Sequence, residues 1–127
     1  MITLAKHAGY CFGVRRAVQM AEENASPENL LYAAGPLIHN RHVIEDLRKK
    51  GVMDEIPDGA RVIIRAHGVP PEDYVFLRKK GCTVLDATCP FVARIHRIVE
   101  EESAKGRAVL IFGKAGHPEV IGIAARC

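Results

Sequence analysis

The chain has no tryptophan, which is unremarkable in 127 residues. More informative is that its four cysteines never form a CxxC pair, so neither a zinc ribbon nor a thioredoxin-like redox site has local support. No stretch approaches the ~18 consecutive apolar residues of a membrane span, and Met1 to His7 lacks the layout of a signal peptide. The expected compartment is therefore the cytoplasm, where thiols serve as core residues, metal ligands or nucleophiles more often than as disulfides. A formal net charge of +3 is too small to indicate a nucleic-acid partner, although it mildly favours anionic small ligands. Fixed-length repeats and low-complexity tracts are absent too.

What remains is a normal globular balance, 48% hydrophobic and 26% charged, long enough for one domain or a domain and part of another. One unit recurs: a short apolar run, a small loop and an amphipathic helix. The runs are Ile2-Thr3-Leu4-Ala5, Leu30-Leu31-Tyr32-Ala33, Arg61-Val62-Ile63-Ile64, Thr83-Val84-Leu85 and Ala108-Val109-Leu110-Ile111-Phe112. The first helix carries Val14, Ala17, Val18 and Ala21 at helical spacing. The second starts at Asn40, a good N-cap, and stops at Arg48-Lys49-Lys50-Gly51. Pro71, Pro90 and Pro118 mark the later starts, since proline suits the first helical position. Strands alternating with helices predict an α/β fold, a parallel βαβ sheet with helices on both faces. The expected division is 1–106 as a first α/β domain and 107–127 as the opening βα unit of a second, truncated one.

Each expected strand-to-helix junction holds a Cys or a His: Cys11, then His39, His67, Cys89 and His117. In an open parallel sheet these junctions share the carboxyl edge, where ligands bind. Helix N-termini gather there as well and favour phosphate. Thiols beside Gly or Pro at helix starts are placed for thiolate chemistry. By contrast, Cys82 and Cys127 read as small packing hydrophobes, His42 and His96 as surface or packing residues, and His7 is undecided.

Five strings occur in order: Gly9-Tyr10-Cys11-Phe12-Gly13-Val14-Arg15-Arg16-Ala17, Gly35-Pro36-Leu37-Ile38-His39-Asn40, Arg65-Ala66-His67-Gly68-Val69, Asp86-Ala87-Thr88-Cys89-Pro90 and Gly116-His117-Pro118-Glu119-Val120. Together they closely resemble the 4-hydroxy-3-methylbut-2-enyl diphosphate reductases, the IspH or LytB family, over the whole chain. The resemblance implies three α/β domains around a central [4Fe–4S] cluster held by three cysteines. Cys11 and Cys89 match the first two ligands, and the third lies beyond Cys127. It further implies that His39, His67 and His117 surround the substrate diphosphate and that Glu119 takes part in proton delivery. The implied activity, the last step of the methylerythritol phosphate route to isoprenoids, converts the allylic diphosphate to isopentenyl and dimethylallyl diphosphate. The resemblance also implies a ferredoxin or flavodoxin as electron donor. Three other readings compete: a non-catalytic scaffold of the same fold, a zinc site built from Cys11, Cys89 and a junction histidine, and a cysteine redox sensor.

Overall fold

The computed structural model describes residues 1–6 and 8–127, so His7 lies outside the described residues. In chain order the elements are α1 (Phe12–Asn24), β1 (Leu31–Ala34), α2 (Arg41–Lys49), β2 (Val52–Met53), β3 (Arg61–Ile64), α3 (Pro71–Lys79), β4 (Thr83–Asp86), α4 (Pro90–Ala104) and α5 (Pro118–Ala124). The four strands form one sheet in the order β2-β1-β3-β4, and every pairing is parallel. The fold is α/β, as the alternation of runs and helices predicts.

Strand alternation divides the core in two. Leu31 and Ala33 of β1 and Ile63 of β3 face one side, where Ala17 and Ala21 of α1 and Leu47 of α2 cover them. Val62 and Ile64 of β3 face the other side and pack on Leu77 of α3, with Val69 completing that cluster. This is the period-2 geometry of a strand buried on both faces. Leu31, Val62, Ile63, Ile64 and Val69 are fully enclosed, each stabilising the fold by about 1.5–3 kcal/mol.

The helix boundaries follow the local signals. Asn40 accepts hydrogen bonds from the N–H groups of His42 and Val43 at 3.1 and 3.4 Å, a side-chain cap for α2. Arg48 and Lys49 occupy its last turn, where cations complement the helix dipole. Proline stands in the first turn of α3, α4 and α5.

Two expected strands do not form. Among the described residues, 2–5 and 108–112 have no strand partner, and Ile2, Leu4, Leu110 and Phe112 are exposed. An apolar run supplies only a propensity, and a strand requires a neighbour's main chain. Conversely, the two-residue β2 was not foreseen, being too short to show periodicity. Cys82 packs on the α3 side of the core, as read, whereas Cys127 is exposed rather than buried. Among the described residues no helix is long and apolar enough to cross a membrane.

Ile63 sits at the centre of this arrangement. Ile63→Ala is expected to lower the unfolding free energy by about 2–5 kcal/mol, read as a fall in the urea midpoint with an unchanged slope.

Candidate active site

Three strands end level with one another: Ala34 pairs with Ile64, and Ile64 with Asp86. The chain therefore leaves the sheet three times at one edge. Beyond β1 it reaches exposed His39, held just ahead of the Asn40 cap. Beyond β3 it forms a tight turn in which Gly68 N–H donates to Arg65 O at 3.0 Å, with His67 between them. Arg65 leans back over the first loop, where a Cβ on Gly35 would lie 2.9 Å from its Nη1.

Beyond β4, Asp86 organises the approach to Cys89. Its Oδ1 accepts from Thr88 N–H at 2.9 Å and its Oδ2 from the Tyr74 hydroxyl at 2.8 Å. Burial, reinforced by this carboxylate, pushes the Tyr74 phenol up to about 12. Cys89 N–H donates to Ala66 O at 2.9 Å, tying the thiol-bearing loop to the histidine-bearing one.

The structure brings the three junction histidines together. The rings of His39 and His67 lie 5.7 Å apart between centroids, as do those of His67 and His117, the latter pair edge to face. His67 is the middle ring, half-buried, with Nδ1 unpartnered. Its pKa is lowered, chiefly by desolvation, with Glu119 pulling it back up and the neighbouring His39, Arg65 and His117 adding to the fall. His117 is the N-cap of α5 and accepts Glu119 N–H at its Nδ1 at 3.3 Å. That bond needs an unprotonated Nδ1, leaving Nε2 as the position that carries the hydrogen in the neutral ring. A cleft of about 340 Å³ opens beside the triplet, lined by Tyr10, Cys11, Val14, Ile38, His39, Asn40 and His67.

The two junction thiols share this neighbourhood. Cys11 and Cys89 are the N-cap residues of α1 and α4, and neither side chain makes a capping bond, so first-turn N–H groups at both starts lack a side-chain acceptor. Gly13, in the first turn of α1, lies so close to Cys89 that a Cβ there would be 2.7 Å from its Sγ. The rings of Phe12 and Phe91 meet edge to face at 6.4 Å, joining the same two helix starts. Among the described residues no group of three or more His, Cys, Asp or Glu side chains is set to hold a metal ion.

Residues 2–127 match the family model described as LytB protein. The chain belongs to the LytB family. It is 44% identical to a 4-hydroxy-3-methylbut-2-enyl diphosphate reductase of Caldanaerobacter subterraneus subsp. tengcongensis, over 99% of this chain and 47% of that protein. With the reductase of the same name from Aquifex aeolicus it shares 46% identity, over 95% of this chain and 44% of that protein. The LytB segment thus spans about half the length of the curated relatives it matches. Among solved structures, it superposes on (E)-4-hydroxy-3-methyl-but-2-enyl diphosphate reductase, described as the terminal enzyme of the non-mevalonate pathway. That match has a TM-score of 0.83 and 44% identity, covering 98% of this chain and 46% of the other. The Plasmodium falciparum reductase gives a TM-score of 0.84 at 31% identity, covering 93% and 39%.

The junction pattern does not single out the residues that support this candidate site. Asp86 lies in the fourth string without a junction role, although Asp two residues before an N–H is a recognisable turn signal. Tyr74, Gly13 as a close-approach residue, and buried His96 had no local signal.

His67 and His96 both have lowered pKa values, each chiefly through burial. The unfolded chain then binds protons more readily than the folded one below the ordinary histidine value of about 6.5. Stability should be fully present above that value and fall as the pH drops through it. The carboxylates with lowered values, Asp46 and Glu102, act only below about pH 4. Urea midpoints should therefore decrease between pH 7 and pH 5, and less so in His96→Leu. A flat profile across that interval would contradict the assignment.

Proposed function

We propose that the protein containing this LytB segment reductively removes the hydroxyl of (E)-4-hydroxy-3-methylbut-2-enyl diphosphate. One C–O bond breaks, two electrons and two protons are consumed, and the products are water with isopentenyl or dimethylallyl diphosphate. The observation that carries this reading is the convergence of His39, His67 and His117 beside two helix starts that bear thiols. The names of the relatives supply the substrate class.

His39, His67 and His117 bind the diphosphate. Free, His67 favours its neutral form; an arriving polyanion favours the imidazolium, which then gives charge-assisted hydrogen bonds. Glu119, half-buried and close enough to His67 to oppose its shift, donates a proton to the departing hydroxyl oxygen. Cys11 and Cys89 would hold two irons of a [4Fe–4S] cluster, with the third thiolate from outside these 127 residues. The donors suit it: thiolates are the usual iron–sulfur ligands, and the room left by Gly13 lets α1 approach Cys89 directly. When bound, the cluster supplies the electrons and a Lewis-acidic iron. A cytoplasmic ferredoxin or flavodoxin delivers the electrons. Residues 1–106 form the first α/β domain and 107–127 begin a second.

Two measurements test this. In the full-length protein reconstituted anaerobically, Cys11→Ser and Cys89→Ser should lose iron, sulfide and the brown absorbance, while Cys82→Ser keeps them. Stoichiometric zinc without sulfide would instead favour the zinc reading. Glu119→Gln should lower kcat by roughly 10²–10⁴ with KM nearly unchanged, and near-normal turnover would remove Glu119 from the mechanism.

A further inference from the structure

The position of α5, which carries His117 and Glu119, needs a cause. The segment preceding it is not paired to the sheet, so α5 is held by its contacts with α4 and with the turn around His67. Two polar side chains take part in those contacts. His96, in the second turn of α4, is 6% exposed. Its Cε1 lies 2.7 Å from where a Cβ on Gly68 would stand, and its Nε2 lies 3.5 Å from where one on Gly122 would stand. The flat ring is thus wedged between the residue after His67 and the middle of α5.

Arg126 closes the other side. Its side chain is 7% exposed and its Nε lies 3.0 Å from the Glu100 carboxylate of α4, an ion pair by distance whose angle makes no hydrogen bond. One terminal nitrogen donates to Val69 O at 3.1 Å, and the other to Gly122 O. One guanidinium therefore reaches α4, α5 and the segment after His67.

The residue types are costly ones for mere filling. His96 Nε2 is buried without a partner, a penalty that an aliphatic side chain would avoid. That cost makes sense where a flat ring must fit against Gly68, at which a Cβ would lie 2.7 Å from its Cε1.

We propose that His96 and Arg126 are positioning residues, a two-part latch that sets the distance of His117 and Glu119 from His67. The inference rests on reading the three imidazoles as an anion site, and the test separates the two. The readouts, in this chain, are cross-relaxation between the His67 and His117 ring protons, affinity for inorganic diphosphate, and the amide signals of Val62, Ile63 and Ile64.

In both His96→Ala and Arg126→Gln, the His67–His117 cross-peak should vanish and diphosphate should bind about tenfold more weakly, with the sheet signals unchanged. Gly122→Ala, whose Cβ meets His96 at an ordinary contact distance, should keep the cross-peak. The latch is overturned if cross-peak and affinity are unchanged in both variants, or if both lose the sheet signals, since the pair would then hold the core rather than the site. If the parent chain does not bind diphosphate but the cross-peak responds as stated, the latch stands and the anion reading fails.

Discussion

The parallel register of three strands is the constraint on which the rest depends. Because Ala34, Ile64 and Asp86 are level, the chain turns out of the sheet at one edge each time, and whatever follows is delivered to one place. Had β3 run the other way, the His67 loop would lie at the opposite end of the sheet from His39 and Cys89. The register is itself secured by the core beneath. Shifting β3 by one residue would exchange Ile63 with Val62 and Ile64 between the two helix-covered faces.

At that edge the chain departs from what stability alone would select. Cysteine replaces the Ser, Thr, Asp or Asn that would cap α1 and α4, forgoing about 1 kcal/mol at each start, and the helix N–H groups stay available. Imidazoles are buried with nitrogens unpartnered. Such local violations gather where a ligand is to be met, with the surrounding packing supplying the compensation. The sheet interior, filled by Leu31, Val62, Ile63 and Ile64, has no comparable exception.

Much of this was legible in the residues. Strands β1, β3 and β4 were visible as apolar runs, and α2 to α5 declared themselves through Asn40 and the first-turn prolines. Their junctions located His39, His67 and Cys89 directly, and Pro118 placed His117 at the start of α5. Residues 2–5 and 108–112 misled because an apolar run states a preference without naming a partner, and β2 escaped because two residues carry no pattern. His96 was read as surface or packing. Its importance comes from Gly68 and Gly122, which lie far away in sequence on either side and meet the ring only after folding. Asp86 was quoted without a role because its second bond, to Tyr74, crosses between elements.

The sheet ends differently on its two sides. β2 offers two residues and closes that flank almost at once, whereas β4 presents four, with Thr83 and Asp86 exposed. Unpaired main-chain groups along an edge are a template for another strand. Growth of the sheet is thus directional: an added strand gains a full ladder beside β4 and almost none beside β2. The same asymmetry makes β4 the place where self-association would begin in a concentrated solution, and the Asp86 carboxylate at its end is the local charge that opposes it.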